Sequence, residues 1–193
     1  MPDESSPEPT LPQAPHPSHH LRGLSLIEVC VVCLILPVLL SQAIPSMQRL
    51  RLGQHVRGTA QTLMTDLQQA RSVAVIQGKA VHMRFNAGDG GSCYIVYSGP
   101  SDGCHCDNAG QTRCTDAAAL AKVEWLPAKQ ATTIRANVEK LSFQARQGAV
   151  TSTGSIDIAA PGGPSIRHIV AITGRVRSCS PDGSAGRLPR CAG

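Results

Sequence analysis

Apolar and polar positions change rhythm three times along this chain. Residues 1–22 are rich in Pro, Ser and His and show no apolar period. Such a stretch cannot bury enough surface to offset the entropy of folding, so it reads as a tail or a leader. From Leu24 to Ile44 the chain is apolar apart from Ser25, Glu28, Pro37, Ser41 and Gln42. A helix of that length, rising about 1.5 Å per residue, spans a hydrocarbon core of roughly 30 Å. The apolar positions then thin to helical spacing at Leu50, Val56, Ala60, Leu63, Met64, Leu67, Ala70, Val73 and Ala74, as far as Gln77, and Gly78 gives a stop. One helix of about 54 residues, roughly 80 Å long, is expected.

After Gly78 the period falls from 3.6 to 2. The runs KAVHMRF, CYIVYS, KVEWL, TTIRA, KLSFQA, SIDIA, RHIVAIT and RVRSC are short, rich in β-branched or aromatic residues, and separated by Gly, Pro, Asn or Asp. Turns are expected at Gln147-Gly148 and Thr173-Gly174. The Cys- and Gly-rich segment between Ser98 and Ala121 is too polar for a strand and is expected to be a loop. The fold class is therefore α+β, a long N-terminal helix whose second half packs on a β-sheet domain running from about Lys79 to the end.

Glu28 is the anomaly of the apolar run. A carboxylate in hydrocarbon costs about 2.5–3.5 kcal/mol on insertion scales, so such a residue is usually functional; the alternative is that it snorkels to the headgroups from an ordinary anchor.

Charge changes the picture at the other end. The chain carries a formal +5, but Asp3, Glu4 and Glu8 lie before Gly23, and from Gly163 onward Arg167, Arg175, Arg177, Arg187 and Arg190 face only Asp182. That tail is a candidate basic patch, or else a solvated surface. Aromatics are scarce at 3%, which argues against a groove that grips single strands by base stacking. Within GRVR, Gly174 permits a tight turn, and an extended chain points Arg175 and Arg177 to one face, roughly 6.6–6.8 Å apart, a spacing suited to successive phosphates.

Eight cysteines divide by context. Cys30 and Cys33 act as small hydrophobes in the apolar run. Cys93, Cys104, Cys106, Cys114, Cys179 and Cys191 lie in the polar remainder and suggest disulfides in an oxidising compartment. Cys179 and Cys191 would close a loop holding Arg187 and Arg190, contributing roughly 3 kcal/mol by loop entropy, either to fix the basic tail or simply to staple the C-terminus. The other four allow three pairings. The CHC run at 104–106 does not have the usual zinc spacing. His82, His105 and His168 are scattered, and no nucleophile elbow, Walker loop or metal-binding helix is visible. The chain reads as a non-enzyme without cofactor or metal.

A short leader ending in Gly23, a hydrophobic Leu24 after it and Glu28 five residues into the mature chain resemble the N-terminus of type IV pilins and type II secretion pseudopilins. The stretches LMTDLQQARSVAVIQGKAVHM (63–83), LSFQARQGAV (141–150) and RHIVAITGRVRSC (167–179) are similar to the GspH/FimT group of minor pilins. The resemblance implies a type IV pilin-like fold divided into a leader at 1–23, a transmembrane and assembly helix at 24–45, its amphipathic continuation at 46–78 and a globular domain at 79–193. It implies cleavage after Gly23 by a prepilin peptidase, methylation of the Leu24 amine, and pairing of Glu28 with such an amine to set register in a filament. Pro37 and Pro45 would bend or loosen that helix. The implied location is the bacterial inner membrane, single-pass, with the domain in the periplasm and the subunit passing into a pilus or pseudopilus beside other pilins.

FimT-like members are associated with DNA binding in natural transformation through a GRxR motif, matched here by Gly174, Arg175 and Arg177. On the charge of the tail, Arg187, Arg190 and Arg167 would widen that patch. A GspH-like pseudopilin acting through protein partners is the alternative, and a minor pilin used only for priming, adhesion or twitching is a third.

Overall fold

The computed structural model describes residues 23, 25–107 and 109–192, without the side chains of 42, 43, 45 and 46. The leader up to residue 22 and the Leu24 amine lie outside the described residues. Two compact units divide the chain, residues 1–42 and 43–193.

Helix α1 runs Leu26–Gln77. Ser25 caps it: its carbonyl and its hydroxyl accept the Glu28 N–H at 3.0 and 3.3 Å. Glu28 therefore lies in the first turn, where its charge complements the helix dipole. In the first unit the described apolar side chains from Leu26 to Leu40 are exposed. Among the described residues no helix is long and apolar enough to cross a membrane.

The second unit is built on one face of α1. Val56, Ala60, Leu63, Leu67, Ala70 and Ala74 are all buried, and their alternating steps of four and three residues keep them on one stripe of a 3.6-residue helix. Leu50 is off that stripe and is exposed, and Leu52, one turn before Val56, packs instead.

Ten strands follow among the described residues: β1 Val81–Gly88, β2 Gly91–Ser98, β3 Cys104–Cys106, β4 Thr112–Cys114, β5 Ala119–Pro127, β6 Thr133–Ala136, β7 Lys140–Phe143, β8 Gly154–Ala159, β9 Ser165–Val170 and β10 Val176–Cys179. They form two four-stranded antiparallel sheets, ordered β5-β2-β1-β7 and β10-β9-β8-β6, and a separate β3-β4 hairpin. Alternate residues of both sheets meet the stripe of α1 in a single core, among them Met83, Tyr94, Leu141, Phe143, Ile156, Ile158 and Val170. Each fully buried aliphatic or aromatic side chain there contributes about 1.5–3 kcal/mol.

Strand β2 is buried along both faces, and this accounts for the Cys-rich segment. Cys93, Ile95 and Tyr97 point away from α1 and form a second cluster with Cys104, Cys106, Ala118 and Trp125. Disulfide Cys93–Cys106 fastens the β3-β4 hairpin over that face, and Cys104–Cys114 staples its two strands together. The expected loop thus contains two short strands, because the bridges hold a polar segment in register that hydrophobicity alone would not.

Polar groups lock α1 to both sheets. Asp66 is buried on the helix, accepts a short hydrogen bond from the Tyr94 hydroxyl, and receives the Lys122 ammonium at 2.7 and 2.9 Å. Burial first, and the Asp66 hydrogen bond second, push the Tyr94 phenol far above its ordinary range, so it is the proton donor of that pair. On the other sheet His168 Nε2 lies 2.8 Å from the Ala60 carbonyl and Nδ1 2.9 Å from the Ser178 hydroxyl. Burial lowers its pKa; the neutral ring donates from Nε2 to the carbonyl and accepts from the hydroxyl at Nδ1.

Candidate nucleic-acid interface

The β9-β10 hairpin sets the geometry of the GRVR segment. Gly174 has φ +74°, donates its N–H to the Ala171 carbonyl at 2.8 Å, and turns the chain so that the Arg175 carbonyl accepts the Ala171 N–H at 2.9 Å. Beyond the turn, Val176 and Ser178 are half-buried while Arg175 and Arg177 are exposed, the alternation expected of a strand with one solvated face. Among the described residues no carboxylate pairs with either arginine.

The turn at Gly174 is seated on the turn at Gly148. A Cβ added at Gly174 would lie 2.0 Å from the Gly148 carbonyl oxygen and about 3 Å from the Arg71 side chain. The Ile172 carbonyl accepts the Val150 N–H at 3.0 Å, which ties the two turns together. Gly174→Ala is therefore expected to destabilise the chain by about 2 kcal/mol, through left-handed strain and overpacking. Unfolding midpoints measure this; an unchanged midpoint would show that the turns do not depend on contact at Gly174.

The remaining expected arginines are distributed differently. Arg167 sits on β9 opposite Asp157 of β8 and makes two parallel hydrogen bonds to its carboxylate, 2.6 and 2.9 Å. Those bonds, and then the carboxylate's charge, raise its pKa and neutralise its field, so Arg167 does not widen the patch as a free charge. On the same outward face Arg135 of β6 lies opposite Asp157 and is exposed.

Disulfide Cys179–Cys191 ties the C-terminus to the end of β10, and a parallel bridge between Ser180 and Arg190 brings the returning chain alongside. Arg190 is exposed there, against Gly183. Arg187 instead faces a groove of about 660 Å³ between α1 and the C-terminal segment, with Arg57, Gln61 and Leu188 among its lining residues. Asp182, the tail's one carboxylate, accepts hydrogen bonds from both Ser184 and Ser180, which hold its pKa below the usual range without drawing on any arginine.

The structure thus places Arg175 and Arg177 along the start of β10, the edge strand of the second sheet, Arg190 beyond the other end of that strand, and Arg187 with Arg57. The sequence reading missed Arg71 and Arg146, which adjoin Gly174 and Gly148. Their positions depend on how two turns meet a helix, and no spacing in the chain announces that. Cys104, Cys106 and Cys114 are all committed to disulfides, so their thiolates are not free for zinc.

A long helix laid across antiparallel sheets, with its apolar N-terminal turns exposed, is the architecture of a pilin-like subunit. Residues 59–174 match the family described as Type II transport protein GspH, and the chain belongs to that family. Its members are minor pilins and pseudopilins of type IV pili or type II secretion systems, structural proteins that assemble with other subunits of their kind. The match begins after Glu28 and ends at Gly174, just before Arg175.

Two crystal forms of the type IV minor pilin FimU of Pseudomonas aeruginosa (strain PAO1) are similar in structure. They have TM-scores of 0.48 and sequence identities of 17% and 19%, and cover 70% and 68% of this chain and 95% and 98% of their own. The minor pseudopilin EpsH from the Type 2 Secretion System of Vibrio cholerae gives 0.47 and 14%, with 65% of this chain and 97% of its own covered. No curated protein matches the sequence.

Proposed function

We propose that this chain is a FimT-like minor type IV pilin that enters or primes a pilus and binds DNA without sequence preference, for uptake in natural transformation. The observation that carries the reading is the Arg175 and Arg177 pair, exposed on one strand face with no carboxylate partner among the described residues. Such a pair neutralises phosphates and reads no base edge, so specificity should be low and affinity strongly salt-dependent.

The same reading assigns cleavage after Gly23, methylation at Leu24 and an assembly role to Glu28 through an amine. The exposed apolar turns of α1 between Leu26 and Leu40 would be covered first by the inner membrane and then by neighbouring pilins. The partners are then other pilins, the prepilin peptidase and DNA.

The test is a titration of duplex DNA against the full chain in non-ionic detergent at several salt concentrations, beside an Arg175→Ala/Arg177→Ala variant. The variant is expected to bind more weakly and to lose about two units of slope in log K against log salt. The family description and the end of the match at Gly174 favour a second reading, a GspH-like pseudopilin acting through protein partners. Identical DNA binding by the two chains, or none, would select it.

A further inference from the structure

Arg71 of α1 and Arg146 of the 145–148 turn line one cleft where the two glycine turns cross the helix, and Arg175 directly follows the second of those turns. Arg71 runs over both turns. A Cβ on Gly148 would lie 2.8 Å from its Cγ, and a Cβ on Gly174 3.0 Å from its Nε, so side chains at either position would displace it. Arg146 precedes the Gly148 turn with φ +73°, a left-handed conformation that glycine adopts without penalty and arginine does not. Between them lies a cleft of about 390 Å³ lined by Arg71, Ser72, Val75, Ile76, Arg146 and Gln147. Its lining includes two arginines and a serine, and no carboxylate.

The usual structural reason for a cation near a helix end does not reach Arg71. The dipole's effect falls off within the last turn, and Arg71 stands six residues before Gln77. Neither Arg71 nor Arg146 pairs with a carboxylate among the described residues. Two unpaired guanidinium groups facing one cleft repel one another unless an anion sits between them. Arg175 follows Gly174 directly, so the cleft and the Arg175–Arg177 strand adjoin.

We propose that Arg71 and Arg146 form a phosphate-binding cleft that continues the Arg175–Arg177 row, so that a polyanion backbone passes from the outer face of β10 over the two turns onto α1. The proposal rests on the DNA-binding reading for the identity of that polyanion. It adds the helix and the 145–148 turn to a surface otherwise confined to the C-terminal hairpin.

The experiment compares the full chain in non-ionic detergent with Arg146→Gln, Arg71→Gln and Arg71→Lys. Arg146 is exposed and its replacement leaves the core untouched; Arg71→Lys keeps the stem over the glycines and the charge. The probes are a duplex DNA and inorganic tripolyphosphate, and unfolding midpoints check each fold. Arg146→Gln and Arg71→Gln are each expected to lower the DNA salt slope by about one and to weaken tripolyphosphate several-fold, with Arg71→Lys close to wild type. A slope that responds to Arg175→Ala/Arg177→Ala but to neither new variant overturns the cleft and leaves the DNA reading standing. Tripolyphosphate binding that depends on Arg71 and Arg146, without any DNA binding, supports the cleft and removes DNA as its ligand. Binding of neither probe overturns both.

Discussion

Asp66→Ala is expected to lower the unfolding free energy by about 3 kcal/mol, the lower part of the range for breaking a buried ion pair. Asp66 is the only carboxylate in the buried part of α1 among the described residues. Its loss strands a fully buried tyrosine hydroxyl and a lysine at the edge of the first sheet. The Lys122 side chain is about one-third exposed and its ammonium can return to water, but the Tyr94 hydroxyl cannot. Lys122→Met is expected to cost at least as much, because the carboxylate, 7% exposed, then keeps a single partner. The double variant should lose clearly less than the sum, the sign of direct coupling. Urea unfolding followed by the single tryptophan, Trp125, measures all three. Glu124→Ala, which removes only the 3.9 Å contact to Lys122, is the control and should change stability by less than about 0.5 kcal/mol. Additive losses for Asp66 and Lys122 would show that the pair is not what ties β5 to the helix.

The parts of this fold that were legible in the chain are those governed by local period. The stripe from Val56 to Ala74 follows from steps of three and four residues, and Gly78, Gly148 and Gly174 fall where the chain turns with positive φ. The exposure of Arg175 and Arg177 likewise follows from strand alternation. The Ser98–Ala121 segment was not legible, since its strands exist through cross-links and sequence does not choose among three pairings. Asp66 and Lys122 are 56 residues apart, and nothing local marks them as partners. The same holds for Arg167, whose charge looked free in a basic tail but is matched by Asp157 of the next strand. A charge count along the chain measures the field only where no neighbouring strand supplies the opposite sign.

Removing both flap disulfides, by Cys93→Ala/Cys106→Ala together with Cys104→Ala/Cys114→Ala, is expected to produce the other large effect. The closed loops have sequence separations of 13 and 10 residues, for which the loop-entropy relation gives about 3 kcal/mol each, with less than full additivity because they share one hairpin. Without them the β3-β4 hairpin has three-residue strands and little apolar surface, so it should lift from β2 and expose Ile95, Tyr97 and Trp125. Tryptophan emission should shift to the red under native conditions, while far-UV circular dichroism keeps the helix and the main sheets, whose core lies on the other face of β2. The variant is the right instrument because a reductant would also open Cys179–Cys191 and release the arginine-bearing tail. If the flap serves only to cover the first sheet, DNA affinity and its salt slope should be those of wild type, since Arg177 lies on β10 of the second sheet and Arg175 directly before it. An unshifted Trp125 emission with an unchanged midpoint would mean that the hairpin holds to β2 without its bridges. A lost salt slope would mean that the flap takes part in binding.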